Sequence, residues 1–422
     1  MPPVDRPFGE RQPRPVAGAT HVLMHVLGVG RTDVRVQREA TALRDAGYSV
    51  TLVDIERDRA RPRVETINGI RYHHIISPSY YQRVRFKPWF LVKMAAILAR
   101  SAVTVASIQA DIYHAHDDTA LPVCYVAAAA RGAQLVFDAH ELPLGQTNLR
   151  GWRWLKALIR GALRLMTPRC AGIITVSQPI ADEIQRQFSG PPPVVVRNIP
   201  PYRPPDVASD VIKRALGLPN ETRVALYQGA FQANRGLDIL VSAARYLDAG
   251  HVIVLMGSGP MGAELERLAQ LERAGARLRI LPPVPYDVLL QWTASADLGL
   301  IAYRPSFSLN VRYCLPNKLF EYLMAGVPVV ATPLDAVADV LRAYDVGLVA
   351  PSTDPESVGR AISAALRDTL EWSRMRRNAL AASKADLRWE RERERLVSLY
   401  AAICGPAAQE RGALNAAGGA AR

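Results

Sequence analysis

The chain has 422 residues, enough for two domains of ordinary size, and 49% of them are hydrophobic, which excludes a largely disordered protein. Its net charge of +13 is uneven: the first 200 residues hold 26 Lys and Arg against 16 Asp and Glu, the rest 26 against 23, so the first half suits a polyanionic partner. No unbroken apolar run of about 18 residues marks a membrane span, and four scattered cysteines (Cys124, Cys170, Cys314, Cys404) show no metal-type spacing and fit a reduced, intracellular compartment.

Residues 1–19, rich in Pro and Arg without an apolar core, read as a disordered arm and not as a secretory signal. The pattern then predicts a strand over His21–Leu27, a turn at Gly28-Val29-Gly30, a helix from Asp33 to Ala46 and a strand over Tyr48–Ile55. Strand, glycine loop, helix and strand open a doubly wound α/β sheet, with glycines where backbone can approach a ligand. Arg31, Arg35 and Arg38 follow at three- and four-residue steps, lining a cleft or meeting solvent. A strand is expected near Ile70–Ile76. Arg83 to Phe90 interleaves basic and aromatic residues before an apolar helix, Leu91–Ala106, a composition suited to a lipid headgroup boundary.

Asp111 to Asp118 reads as a strand with a C-terminal end crowded by titratable groups, where open α/β sheets bind ligands. His114 and His116 share one side of that strand. No third ligand is near in sequence, so a metal is not expected, and His116 is the candidate for substrate contact. The strand Gln134–Asp138 exits through Ala139-His140-Glu141, two further polar candidates. From Leu142 to Ala181 there is no acidic residue. Arg153, Lys156, Arg160 and Arg164 form one helical stripe, and Leu155, Leu158, Ile159, Ala162, Leu163 and Met166 another, behind Trp152 and Trp154. A core-facing helix with a solvated back explains the pattern most simply. The missing acids and the two tryptophans favour an anionic membrane surface, and no motif that reads nucleic acid is present.

Strand Gly172–Ser177, helix Gln178–Gln187 and strand Val194–Val196 lead to a Pro-rich linker, Pro200 to Pro205. The second half repeats the scheme. Strands are expected at Arg223–Gln228, His251–Met256, Leu278–Leu281 and Asp297–Ala302, with glycine loops at Gly229 to Gly236 and Gly257 to Pro260. Arg235 sits in the first of those loops. The most informative stretch is Pro316 to Val330, a short helix stopped by Gly326 and followed by a buried strand. Leu319, Phe320 and Leu323 should face the core, while Lys318 and Glu321, three apart, share another face. Free N–H groups at a helix start with a lysine on the first turn suit phosphate, and a carboxylate one turn on suits sugar hydroxyls. That assigns Lys318 to a diphosphate and Glu321 to a ribose; the plain alternative is a solvated ion pair. Helices near Asp354–Arg367, Leu370–Ser383 and Leu387–Ala402 follow, the last crossing back to the first domain, and the tail after Cys404 reads as disordered.

The whole divides into an arm (1–19), an N-terminal acceptor-binding domain (20–199), a linker (200–206), a C-terminal nucleotide-sugar domain (207–385), a returning helix (386–403) and a tail (404–422). Two Rossmann-like domains facing a central cleft resemble the GT-B architecture. Gly28-Val-Gly30, Tyr113-His-Ala-His116-Asp117, Tyr227-Gln-Gly229 through Arg235-Gly236, Gly257-Ser-Gly259 and Pro316-Asn-Lys318-Leu-Phe-Glu321-Tyr-Leu-Met-Ala-Gly326, in this order, resemble the retaining glycosyltransferase family 4. The resemblance implies that Arg235 and Lys318 clamp the donor diphosphate and Glu321 binds the ribose. The backbone N–H groups of Leu319 and Phe320 would meet the phosphates, Gly257 and the loop around Val284 would hold the base, and Gly229 and Asn317 would complete the donor-binding set. His116 would contact the donor sugar, with Gly28, Gly30, His140 and Glu141 on the acceptor side. It departs at two positions: Ala230 stands where the family usually has Arg, and Tyr313 where it has the first of two glutamates. Asn310 or Arg312 is the nearby substitute.

The expectation is therefore a retaining, metal-independent glycosyltransferase without a cofactor, its nucleoside diphosphate sugar being a co-substrate. Its acceptor would be a lipid-linked or cell-surface glycan precursor, at the inner face of the cell membrane in the cytoplasm, engaged through the basic helix Arg153–Arg164 and with no nucleic acid. The rivals are a nucleotide-sugar epimerase and a non-catalytic nucleotide-sugar-binding protein.

Overall fold

The computed structural model describes residues 19–81, 87–145, 152–204, 210–272 and 274–405. Most of the expected arm and tail, the segment Arg83 to Phe86 and part of the linker lie outside them. The first unit runs β1 (His21–His25), α1 (Val34–Asp45), β2 (Ser49–Glu56), β3 (Val64–Ile67), β4 (Ile70–Ile76), α2 (Lys87–Ala106), β5 (Ile112–His116), α3 (Asp117–Arg131), β6 (Gln134–Ala139), α4 (Arg153–Met166), β7 (Gly172–Thr175), α5 (Gln178–Gln187) and β8 (Val194–Val195). Its strand order is β3-β4-β2-β1-β5-β6-β7-β8, parallel apart from the β3–β4 hairpin. The sequence reading passes over β3, which is short and half polar. Its two-residue turn, Asn68-Gly69, has positive φ at both positions and is the legible signal.

The central strands are buried along nearly their whole length because helices cover both faces of the sheet. One face packs Leu23, Tyr113, Phe137 and Ile173 under α2 to α5. The other packs Val22, Met24, Ile112 and Val136 under α1.

The second unit runs α6 (Val211–Leu216), β9 (Arg223–Gln228), α7 (Leu237–Ala243), β10 (His251–Met256), α8 (Gly262–Leu271), β11 (Leu278–Leu281), α9 (Tyr286–Ala294), β12 (Leu298–Ile301), α10 (Leu309–Tyr313), α11 (Asn317–Met324), β13 (Val329–Ala331), α12 (Asp335–Tyr344), β14 (Gly347–Val349), α13 (Pro355–Arg367) and α14 (Thr369–Ala385). Its sheet is parallel, in the order β11-β10-β9-β12-β13-β14. The last helix, α15 (Trp389–Cys404), leaves this unit and lays Leu396 and Tyr400 into the first domain's core beside Val22 and Met24. Its base is pinned by Arg197, whose Nη2 lies 2.6 Å from Oε1 of the fully buried Glu392.

Two expectations need correction. The apolar helix begins at Lys87, and Trp89–Ala106 is long and apolar enough to cross a membrane, with only 17% of that stretch buried. Lys93 and Arg100 hid this by interrupting the apolar run. On α4 the apolar stripe is only partly a core stripe. Leu163 and Met166 go inside, but Leu158 is 63% and Trp154 58% exposed.

Candidate active site

In a doubly wound sheet, ligands bind where the strand order reverses, beyond the strand C-termini. Here those points lie between β1 and β5 in the first sheet and between β9 and β12 in the second. Polar contacts join the two domains close to them. Asn310 accepts from the Leu142 N–H at 2.7 Å and donates to Glu141 Oε2 at 3.0 Å. The Ser177 hydroxyl donates to the Tyr313 carbonyl at 2.8 Å.

On the first domain, β5 ends at His116, which caps α3, and β6 ends beside it with Asp138 opposite His116 in register. Arg35, reaching over from α1, grips Asp138 with both arms: Nε to Oδ2 at 2.9 Å and Nη2 to Oδ1 at 2.6 Å. The remaining capacity of Asp138 Oδ2 goes to His140 Nε2 at 2.9 Å and His116 Nδ1 at 3.2 Å. Burial works against the Asp138 charge, but Arg35 and His140 outweigh it and hold the carboxyl well below its usual range. Burial also opposes charge on His140, yet Asp117 and Asp138 prevail and push it up to about 9. His140 is thus an imidazolium at neutral pH, half-buried on the rim. His116 lies behind it, 1% exposed, kept neutral chiefly by burial, with Nε2 lacking a partner.

Other first-domain candidates divide. Gly28 is half-exposed, and a side chain there would meet only Val26. Gly30 does not line an open surface: its N–H donates to Asp54 at 2.9 Å, and a Cβ would fall 2.5 Å from Leu52. It is a packing glycine, which corrects its placement on the acceptor side. Glu141 is exposed on the rim and bonded to Asn310.

The fold supplies what sequence spacing lacked for a metal. Glu39, His114, His116 and Asp138 offer ligand atoms all within 4.8 Å of one another. The set nevertheless fits a cation poorly. The Arg35 guanidinium pairs with both Glu39 and Asp138, supplying a fixed positive charge beside them, and burial pushes the Glu39 carboxyl up to about 8, so it is uncharged at neutral pH.

On the second domain, Lys318 in the first turn of α11 is buried, with Nζ 3.5 Å from the centroid of the Tyr227 ring. Arg235 stands over the Tyr303 ring at 4.5 Å. Gly229 has φ +121°, and a Cβ there would come within 3.4 Å of Lys318 Nζ, so the β9 loop passes the ammonium closely. Burial and then the Arg235 charge push Lys318 well below its ordinary value. Glu321, one turn on, accepts from Gln228 Nε2 at 2.7 Å, and Thr293 donates to Gln228 Oε1 at 2.7 Å. Burial pushes the Glu321 carboxyl up. Beside it a cavity of about 210 Å³ is lined by Arg38 of the first domain with Pro201, Tyr286, Leu289, Glu321 and Met324.

Asn317 is exposed at the helix start, and Gly257 is buried with its N–H bonded to the Leu281 carbonyl at 3.0 Å. Val284 packs against the domain core. The Leu319 N–H is already donated to Pro316 at 2.9 Å, since Pro316 is the cap of the helix and not its first residue, so that N–H is not free for a phosphate. Neither nearby substitute reaches the cations: Arg312 is paired with Asp335 at 2.9 Å and Asn310 with Glu141. The sequence reading also missed Gln228, Tyr303 and Tyr286. Gln228 was findable as the last residue of a strand before a glycine loop.

Two doubly wound domains meeting at such a cleft, with a last helix crossing back, define the GT-B class of glycosyltransferases. Comparison with known proteins agrees. Residues 32–199 match Glycosyltransferase Family 4 and residues 222–368 match Glycosyl transferases group 1, and the chain belongs to this glycosyltransferase family. D-inositol 3-phosphate glycosyltransferase 1 of Catenulispora acidiphila is 27% identical over 69% of this chain and 72% of its own. D-inositol 3-phosphate glycosyltransferase of Thermobispora bispora is 25% identical over 88% and 89%. Among solved structures, sucrose-phosphate synthase of Thermosynechococcus elongatus superposes with a TM-score of 0.73 over 90% of this chain and 98% of its own, at 17% identity. WaaG, a glycosyltransferase involved in lipopolysaccharide biosynthesis, gives 0.64 over 90% and 99%, at 14% identity.

Proposed function

We propose that the protein transfers a sugar from a nucleoside diphosphate sugar to a hydroxyl acceptor, with retention at the anomeric carbon and without a metal ion. One observation carries this. Lys318 and Arg235 converge on the β9 loop over aromatic rings, and neither forms an ion pair with a carboxylate among the described residues. A buried Lys318 repelled by the half-buried Arg235 is costly unless an anion joins them, and a diphosphate supplies two charges. Glu321, oriented by Gln228, is placed for ribose hydroxyls. The bond from the anomeric carbon to the diphosphate oxygen breaks as Lys318 and Arg235 take up the developing charge. The acceptor oxygen bonds on the same face, and its proton passes to the departing diphosphate. His116 would approach the donor sugar, and Gly28, His140 and Glu141 would flank the acceptor.

The acceptor we infer is a lipid-linked or cell-surface glycan precursor, met at the inner membrane face by a peripheral enzyme of polysaccharide biosynthesis. Supporting this, Trp89 and Val92 on α2 and Trp154 and Leu158 on α4 are exposed, and the ring of Phe90 on α2 lies 6.3 Å from that of Trp152, the residue preceding α4. Exposed Arg153, Arg160 and Arg164 border them. Such a mixture of aromatic and basic residues suits an anionic lipid surface.

The test is calorimetric titration with UDP, GDP and ADP, then turnover of their sugar conjugates with chelator present and D-inositol 3-phosphate among the acceptors. Binding of one nucleotide that Lys318→Ala weakens by about one to two orders of magnitude, with product of retained configuration, is the expected result. No nucleotide bound would overturn the reading, and a new sugar nucleotide formed from donor alone would make the protein an epimerase.

A further inference from the structure

Tyr400 sits near the end of α15, wholly buried, and joins His114, 286 residues earlier: its hydroxyl is 2.6 Å from His114 Nδ1. Its ring meets Tyr48 edge-on at 5.6 Å, which leaves its position little freedom. On the opposite edge of the imidazole, His114 Nε2 lies 3.7 Å from Glu39 Oε2 and 4.0 Å from Asp138 Oδ2. The ring of His114 stacks on that of His116 at 4.3 Å and 27°.

A neutral imidazole has one N–H, and its position decides what both edges do. Burial keeps His114 neutral, its pKa held well below the ordinary value. With the proton on Nδ1, the Nε2 lone pair would face oxygens of two carboxyl groups in a buried space. With the proton on Nε2, an N–H faces them, and Nδ1 accepts from the Tyr400 hydroxyl. Burial pushes Glu39 up to about 8, so it carries a proton at neutral pH; with that proton drawn to the Asp138 carboxylate, the Asp138 charge faces His114 Nε2 and the second arrangement is the one favourable on both edges.

We propose that Tyr400 is a positioning residue for glycosyl transfer: by donating to His114 Nδ1 it fixes the Nε2–H tautomer. The stacked His114 ring then holds His116 with Nδ1 on Asp138 and Nε2 free. The inference rests on the reading that His116 meets the donor sugar. It gives the returning helix a part in the site although no residue of α15 lines the cleft described above.

Tyr400→Phe removes one hydroxyl and keeps the ring. Nitrogen NMR of labelled imidazoles in the full chain reads the tautomer directly, and no substrate is needed. The expected result is a protonated Nε2 on His114 in the wild type and a mixture of tautomers in the variant. Transfer by the variant should fall on the order of tenfold in kcat, with KM for the donor and calorimetric affinity for UDP unchanged. A wild-type His114 protonated on Nδ1 overturns the proposal, as does a variant whose tautomer and kcat match the wild type. A fall in kcat that merely tracks a lowered melting temperature, with the tautomer unchanged, overturns it as well. A wild type that turns over no nucleotide sugar while the tautomer behaves as stated would sink the proposed function and not the hydrogen-bond assignment.

Discussion

Lys318 is a cation held where its charge is disfavoured by burial and by Arg235. A bound diphosphate reverses that balance and raises the lysine pKa, so nucleotide binding should draw in a proton. Affinity is then full at pH values below the depressed free-state pKa and falls as pH rises from there toward the bound-state value. Calorimetry in buffers of different ionisation enthalpy reads the uptake, and Lys318→Ala should abolish it. The same variant should lose about 1.5–3 kcal/mol of nucleotide affinity, the worth of a hydrogen bond to a charged group. His140 titrates the other way round. Its pKa rises from 6.5 to about 9 on folding, so its charged form adds stability that is fully present below pH 6.5 and lost as pH climbs through 9. His140→Gln should flatten the decline of melting temperature across that window. The spacing of Lys318 and Glu321 was legible in the sequence because a helix turns a three-residue step into adjacency. The aromatic floor of Tyr227 and Tyr303 was not, since one lies on β9 and the other just beyond β12, and they meet only through the pairing of those strands.

Helices α2 and α4 show the same division between what a periodicity states and what packing decides. Their stripes are readable, but which apolar residues are covered depends on neighbours that a single helix does not contain. Leu158 lies on the same stripe as Leu163, yet one is outside and the other inside. If the exposed stripe meets lipid, Trp154→Ala combined with Arg153→Glu and Arg160→Glu should release the protein from phosphatidylserine vesicles in a flotation assay. Binding to phosphatidylcholine should be weak for wild type and variant alike, and salt should weaken the wild-type interaction. Turnover of a water-soluble acceptor should be unchanged, because these residues lie outside the cleft contacts. An unchanged flotation profile would remove the lipid reading for this surface.

Across the whole molecule, both doubly wound sheets were foreseeable from alternating apolar runs and glycine loops. The joins between domains were not, because Asn310 to Leu142 and Ser177 to Tyr313 are long-range pairs of ordinary polar residues. The same holds for Arg197 and Glu392, where the linker begins. Glu392 is fully buried and donors from Arg197 reach it at 2.8 Å from both the backbone N–H and Nε. Glu392→Ala leaves that arginine without its main partner and should cost about 3–5 kcal/mol, measurable as a lower urea midpoint. The variant should also loosen α15 and with it the Tyr400 contact.

The placement of α15 has a consequence for how the chain is made. A ribosome delivers the first domain's strands early, yet Leu396 and Tyr400, which complete the face over β1 and β5, are among the last described residues to emerge. The earlier domain therefore waits, with Val22, Met24 and Ile112 incompletely covered, until the second has been synthesised. Premature termination anywhere before residue 396 leaves the first domain unfinished, and the two domains reach their final packing together although one is begun some two hundred residues sooner.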